Sequence, residues 1–184
     1  MTIPIRAAEL HDIAAITRIY AQAVRDGTAS FELDPPDEAE ITRRYVTLRD
    51  GGFPYIVAEI ESEVAGYAYA GPYRARPAYR FTVEDSIYID PRMQRRGVGR
   101  ALLEGLLVEA EARGFRQMVA VIVDSAQTPS IALHEALGFR MVGTLEAVGF
   151  KFGRWIDSVL MQKALGGGAG TEPQSQPANA VRRR

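Results

Sequence analysis

The feature that most constrains this chain is a strand, a glycine turn and a helix that follow one another directly. Residues 82–89 (TVEDSIYI) are rich in β-branched and aromatic residues, as strands are, and residues 94–99 (QRRGVG) form the turn. Behind the turn, apolar residues recur every four positions: Val98, Leu102, Leu106 and Ala110. This spacing predicts a helix that begins inside the glycine turn.

Such a turn can hold an anion. The N–H groups of a first helical turn point outward, and glycine lets an anion approach the backbone closely, so a phosphate or pyrophosphate fits. Arg95, Arg96 and Arg100 add positive charge. The alternative is that Gly97 and Gly99 only make a tight turn. The spacings of a P-loop and of a Rossmann turn are absent.

The patterns on either side alternate between helix and strand. Asp37, followed by Glu40 in the capping-box position, predicts the start of a helix that ends at Gly51. Residues 55–60 and 64–70, joined by a short acidic turn, predict a hairpin. The whole order reads β-α-α-β-β-β-α-β-α-β-β, which predicts a mixed α/β sheet.

Composition narrows the function classes. The 184 residues carry a formal charge of −1, which argues against a nucleic-acid or membrane-surface protein and favours a small-molecule partner. With no cysteine and with two histidines, His11 and His134, a metal site is not expected. No signal peptide or membrane span is recognised, so we expect a cytoplasmic location. Residues 1–165 should form one domain, and the Gly- and Pro-rich residues 166–184 a disordered tail.

Two motifs, one after the other along the chain, resemble the acyl-coenzyme-A-binding signatures of the GNAT superfamily of N-acetyltransferases. The first is Q-x-x-G-x-G, at Gln94, Gly97 and Gly99; the second is SIALHEALGF at residues 130–139. The stretch AYAGPYRARPAYRFTVEDSIYID (residues 68–90) and GFKFGRW (residues 149–155) resemble the phosphinothricin and methionine-sulfoximine acetyltransferase group in particular.

The resemblance implies a GNAT-like, mostly antiparallel sheet of about seven strands flanked by helices, a homodimer, and acetyl-CoA as cosubstrate. It also implies that the central strand splays from its neighbour and that its unpaired backbone binds the pantetheine arm. A β-bulge near residues 84–86 would aim one N–H at the thioester oxygen. The cofactor-binding residues implied are Ile87, Tyr88, Ile89, Arg95, Arg96, Gly97, Val98, Gly99, Arg100 and Gln127. Gln127 stands where the family commonly has asparagine.

Glu84 and His134 are the catalytic candidates. Glu84 lies in a strand that contains Val, Ile and Tyr, where burial would raise its pKa toward that of a useful general base. The alternative is an exposed carboxylate or an ion pair with Arg74 or Arg80. His134 stands where many GNAT enzymes carry a tyrosine that protonates coenzyme A, and histidine can release a proton near neutral pH. A buried structural histidine is the alternative.

Substrate recognition is expected in the Arg- and Tyr-rich loop before the central strand and in the first part of that strand. Arginine can bind a carboxylate or phosphinate through two parallel hydrogen bonds. The residues implied are Arg74, Ala75, Arg76, Tyr79, Glu84, Asp85 and Ser86. The alternative hypothesis is that residues 71–80 form a solvated surface loop without a binding role.

These inferences combine into one hypothesis, an acetyl-CoA-dependent N-acetyltransferase. Its acceptor would be the α-amine of a small acidic amino-acid analogue such as phosphinothricin or methionine sulfoximine, with direct transfer in a ternary complex. Three alternatives remain open: another amine acceptor, a non-catalytic acyl-CoA sensor, and a nucleotide-binding module.

Overall fold

A computed structural model of the protein describes residues 2–173 and residue 177. It contains one seven-stranded sheet and four α-helices within that part of the chain. The strands are β1 (Ile5–Ala7), β2 (Tyr55–Ile60), β3 (Glu63–Pro72), β4 (Thr82–Ile89), β5 (Gln117–Val123), β6 (Arg140–Lys151) and β7 (Arg154–Ala164). The helices are α1 (Ile13–Asp26), α2 (Glu38–Asp50), α3 (Val98–Ala112) and α4 (Thr128–Ala136).

The sheet is mixed, and its strand order is β1-β2-β3-β4-β5-β7-β6. Strands β4 and β5 run parallel, because helix α3 carries the chain from one to the other. The other neighbouring strands pair antiparallel. The predicted fold class and the order of elements are therefore confirmed, although β6 and β7 are longer than the sequence pattern indicated.

The two faces of the sheet have separate cores. On one face, α1 and α2 pack on β2, β3 and β4 through a cluster that includes Ile16, Val24 and Tyr67. On the other face, the apolar stripe of α3 packs on the sheet through Leu102 and Leu106, both fully buried. The functional site lies at the middle of the sheet, between these two layers.

Local signals place the element ends as the sequence predicts. The Asp37 carboxylate caps α2 by accepting a 2.8 Å hydrogen bond from the Glu40 N–H. The Glu40 carboxylate does not return the bond; it pairs with Arg43 and Arg44 instead. Gly138, at φ +84°, ends α4 in the left-handed conformation that favours glycine.

The segment after β7 begins against the domain. The Arg116 side chain donates hydrogen bonds to the carbonyls of Gly168 and Thr171, so this part of the segment lies beside the residue that precedes β5. Residues 174–176 and 178–184 lie outside the described residues, and the disordered tail stays a prediction. Within the described residues, no helix is long and apolar enough to cross a membrane.

Candidate active site

A slot opens in the sheet where β4 and β5 part. The two strands pair from Thr82↔Gln117 to Asp85↔Ala120, but β4 continues to residue 89 and β5 to residue 123. A cavity of about 90 Å³ lies in the gap and is lined by residues of both strands and of α4. Because residues 86–89 pair with β3 alone, their backbone groups facing the slot have no strand partner. The splay implied by the resemblance is present.

The prediction of a β-bulge near residues 84–86 is wrong. Strand β4 keeps a continuous register with β3 from Gly66↔Ile89 to Pro72↔Val83, and its parallel pairing with β5 has no shift either. The strands part because their pairing ends, without an inserted residue. A backbone N–H that faces the slot is therefore supplied by an unpaired edge rather than by a bulge.

The glycine turn at the start of α3 adopts the conformation that an anion site requires. Arg95 and Gly97 have positive φ angles, +60° and +86°, and Gly97 caps the helix. The first helical hydrogen bond runs from the Ala101 N–H to the Gly97 carbonyl, at 3.1 Å. The N–H groups of residues 98–100 precede that bond, so they have no helical acceptor and can bind an anion.

Gly99 has a different role from Gly97. A Cβ added at Gly99 would lie 2.9 Å from Ile89 Cδ1 and 3.3 Å from Leu133 Cδ2, whereas one added at Gly97 meets nothing closer than 3.8 Å. Gly99 therefore lets α3 pack closely against β4 and α4. The two glycines of the motif therefore have different roles: Gly97 makes the turn, and Gly99 permits close packing.

The three arginines of the turn are exposed. Arg100 forms an ion pair with Glu104 at 2.9 Å, and Arg96 approaches Glu61 at 3.6 Å. Arg95 forms no ion pair within the described residues. Since exposed ion pairs contribute little, these guanidinium groups can be redirected toward a bound phosphate at small cost.

The pleat of β4 separates the three polar residues that the sequence places together. Asp85 lies on the same face as Val83 and Ile87, which pack against the α3 layer. Glu84 and Ser86 lie on the opposite face with Tyr88, which packs against the α1 layer. Carboxylates on opposite faces of one strand can serve ligands that enter from opposite sides of the sheet.

His134 and Asp85 form a buried pair on the α3 side. Helix α4 places the imidazole so that Nε2 lies 3.1 Å from Asp85 Oδ2 and Nδ1 lies 2.7 Å from the Ser130 carbonyl. The carbonyl can only accept, so Nδ1 carries a proton and donates it. The Phe139 ring meets the imidazole edge-on at 4.9 Å. Three contacts thus fix the orientation of His134.

The charge state of His134 depends on Asp85. Burial lowers the pKa of the imidazole, but the hydrogen bond and the negative charge of Asp85 outweigh burial, and the pKa of His134 lies above its ordinary value. The other carboxylate oxygen, Asp85 Oδ1, is buried and has no hydrogen-bond partner among the described residues. Both residues line the slot. The slot therefore contains a proton donor and an unpaired acceptor.

Glu84 is half-buried and forms neither an ion pair nor a side-chain hydrogen bond within the described residues. Burial, and then the charge of Asp85, raise the pKa of Glu84, while the charge of Arg74 offsets part of this effect. A carboxylate with a raised pKa and no bound cation is suited to accept a proton from an amine.

The arginine loop lies at the surface beside Glu84. Arg74, Ala75, Arg76 and Tyr79 are all exposed. The Arg74 guanidinium stacks over the Tyr73 ring at 5.0 Å. Neither Arg74 nor Arg76 forms an ion pair with a carboxylate in the part of the chain described, so both guanidinium groups can bind an acid.

The α1–α2 loop closes one side of the slot through Ala29. Gln127 Nε2 donates to Thr28 Oγ1 at 3.1 Å, so its amide nitrogen is engaged while its side chain still lines the slot. The buried Lys151 ammonium donates to the carbonyls of Gly27 and Ser30, at 3.0 and 2.9 Å. Two distant segments thus hold this loop in place.

Sequence reasoning missed two of these contacts. The Asp85–His134 pair was not foreseen, although strand alternation would have placed Asp85 on the face opposite Glu84. The Lys151 anchor joins residues more than a hundred positions apart, and no local signal indicates it. The first depends on how α4 packs on the sheet, and the second on how the end of β6 meets the loop between α1 and α2.

Comparisons with known proteins agree with this geometry. Residues 5–160 match the family described as "Acetyltransferase (GNAT) domain". The chain is 51% identical to a phosphinothricin N-acetyltransferase of Alcaligenes faecalis, over 92% of this chain and 86% of that protein. It is 40% identical to an L-methionine sulfoximine/L-methionine sulfone acetyltransferase of Salmonella typhimurium, over 88% and 94%.

Among solved structures, a phosphinothricin acetyltransferase of Sinorhizobium meliloti in complex with acetyl-CoA superposes with a TM-score of 0.93. The two chains are 48% identical, and the match covers 96% of each. The overlap therefore extends over the sheet, the helices and the slot.

Proposed function

This chain belongs to the GNAT acetyltransferase family and is an acetyl-CoA-dependent N-acetyltransferase. We propose that it acetylates the α-amine of an amino acid of the phosphinothricin or methionine sulfoximine type. The observation that supports the proposal best is the slot between β4 and β5. It has Glu84 on one face of the sheet and the Asp85–His134 pair on the other.

The residues around the slot fit acetyl-CoA. The free N–H groups of residues 98–100, together with Arg95, Arg96 and Arg100, suit the pyrophosphate. The unpaired backbone of Ile87, Tyr88 and Ile89 suits the amide-rich arm, and the Gln127 side chain lines the same cavity. When bound, acetyl-CoA supplies an acetyl group activated as a thioester.

Proton transfer is divided between the two faces. Glu84 accepts the proton that the amine loses as nitrogen forms its bond to the acetyl carbon. His134 is charged, and its Nε2 proton is held by Asp85; as the carbon–sulfur bond breaks, Nε2 donates this proton to the sulfur, while Nδ1 keeps its proton on the Ser130 carbonyl. The products are an amide and a free thiol. The chain contains no cysteine to serve as a covalent carrier, which favours direct transfer in a ternary complex.

The exposed arginine loop is the proposed clamp for the acceptor's acid group. Arg74 and Arg76 are free of carboxylate partners among the described residues, and the charge of Arg74 reaches Glu84. When these two arginines hold the acid group of the acceptor, the α-amine of the acceptor lies near Glu84. Bringing amine and thioester together supplies much of the rate, and acid–base transfer adds about 10²–10⁴-fold.

A titration with acetyl-CoA, followed by assays of thiol release with a panel of amines, tests this proposal. We expect binding, and release with phosphinothricin or methionine sulfoximine above that with polyamines, whose positive charge the arginines repel. Binding without release for any amine would instead indicate an acyl-CoA sensor. Absence of binding would refute the enzyme and sensor readings together.

We also propose a homodimer, formed through the β6 edge. Within the described residues, strand β6 pairs with β7 alone, and it exposes Leu145, Val148 and Phe150 beside the exposed Trp155. An apolar edge strand of this length is typically covered in a soluble protein, and a second copy of the same edge fits it. A cytoplasmic location, where acetyl-CoA is available, is proposed with it.

A further inference from the structure

A second cavity, of about 240 Å³, lies between α2 and the sheet on the Glu84 side. We call it the tyrosine cavity. Its lining residues come from both helices of that face and from β2 and β3: Tyr20, Ile41, Arg43, Arg44, Thr47, Leu48, Tyr55, Tyr67 and Tyr69. It is smaller than the roughly 300–1,000 Å³ pockets that hold whole drug-sized ligands, so it suits one side chain.

The tyrosine cavity begins next to the proposed base. Gly71 is the direct cross-strand partner of Glu84, and Tyr69 is the partner of Ser86, so these four residues share one face. A Cβ at Gly71 would lie 3.5 Å from Leu48 Cδ2, a lining atom of the cavity. Directly opposed residues have Cβ positions about 4.5–5.5 Å apart. Because Gly71 has no side chain, Leu48 packs directly over the backbone opposite Glu84, and this places one wall of the cavity beside the proposed base.

The walls are apolar and rigid. The Tyr55 ring stacks on Tyr69 at 5.0 Å and on Tyr67 at 5.8 Å, which fixes three rings in a row. Ile41 and Leu48 line the opposite side from α2. Flat aromatic walls held by one another favour an aliphatic chain lying between them.

Among the described residues, the charged side chains at the rim are paired with one another. Arg44 binds Glu32 at 2.6 Å and Glu40 at 2.7 Å, and Arg43 binds Glu40 through two hydrogen bonds. Both guanidinium groups are therefore already paired with carboxylates. An ionised ligand end would meet neutralised arginines here, in contrast to the unpaired Arg74 and Arg76.

We propose that the tyrosine cavity receives the side chain of the acceptor amino acid, and that this side chain is long and uncharged. The inference rests on the proposed function and narrows it to the methionine sulfoximine type, because the side chain of phosphinothricin ends in an ionised phosphinate. The arginine loop binds the α-carboxylate, Glu84 faces the α-amine, and the cavity selects the side chain. Burial of each methylene contributes about 0.8 kcal/mol, which corresponds to about fourfold in kcat/KM.

The test uses a series of acceptors that differ by one methylene: L-alanine, L-2-aminobutyrate, L-norvaline and L-norleucine. With the wild type, kcat/KM should rise about fourfold per methylene. Thr47→Trp fills the cavity from its exposed mouth, and Leu48→Trp fills it from within; both should flatten the rise. Thr42→Trp is the matched control, because Thr42 makes the same back-bond to α2 as Thr47 but does not line the cavity.

The outcomes separate the two proposals. No rise in the wild type, or a rise that survives in either folded variant, overturns the cavity assignment. Acetylation of phosphinothricin without acetylation of any member of the series overturns it as well and leaves the proposed function standing. No thiol release with any amine overturns both.

Discussion

The charge pair at the slot gives the sharpest test of the proposed acid. Asp85→Asn keeps the shape of the side chain and removes its charge, while the burial of His134 remains. A hydrogen bond to a charged group contributes about 1.5–3 kcal/mol, so above the pKa of His134 the imidazolium population should fall roughly 10- to 150-fold. The direction follows from the structure, because burial alone lowers the pKa of His134 and Asp85 raises it.

Nuclear magnetic resonance can measure this change directly, because the chain has two histidines. The ring signal of His134 should lose its proton at a lower pH in Asp85→Asn than in the wild type. The ring signal of the exposed His11 should be the same in both proteins, since His11 contacts Glu9 and Asp12 and not the slot. The exposed Asp50, at the end of α2, offers a control variant, Asp50→Asn, that should move neither signal.

Kinetics and stability should change with the titration. The alkaline limb of the kcat profile should move to lower pH in Asp85→Asn, because His134 would lose its proton earlier. Since the folded-state pKa of His134 is raised, the pair stabilises the wild type fully below the ordinary value of about 6.5, and this contribution disappears as pH rises through the folded pKa. An unchanged His134 curve in the variant would refute the coupling.

Three further changes probe other parts of the structure. Glu84→Gln should lower kcat about 10²–10⁴-fold and should leave acetyl-CoA affinity, measured by calorimetry, unchanged. In the wild type, kcat should rise as the pH passes the raised pKa of Glu84, and the variant should lack this acid limb. Gly99→Val should lower the free energy of unfolding in urea by about 1–3 kcal/mol, because its Cβ meets Ile89 and Leu133, whereas Gly143→Val, with open space around it, should not. Phe150→Glu should produce monomers in sedimentation, and the emission of the single Trp155 should then shift to longer wavelength; dimers that persist would contradict the β6 interface.

The local elements of this fold could be read from the sequence because their signals are local. The four-residue apolar repeat behind the glycine turn, the Asp37 cap and the Gly138 terminator each act within one or two turns of chain. The order of helices and strands followed from these signals. The glycine turn also predicted an anion site, since its chemistry lies in its own backbone.

What lies across the sheet could be decided only by tertiary structure. The sequence placed Glu84, Asp85 and Ser86 in one substrate-facing segment, but the pleat sends Asp85 to the opposite face, where α4 brings His134 to it from 49 positions away. The close packing of Gly99 and the pairing of Arg44 with Glu32 at the rim of the tyrosine cavity likewise depend on residues from separate elements. The sequence by itself determined which chemical groups are present and which local structures carry them. The packing of α2 and α4 on a splayed sheet decided which of those groups meet, because contacts between distant segments have no signature in the spacing of residues along the chain.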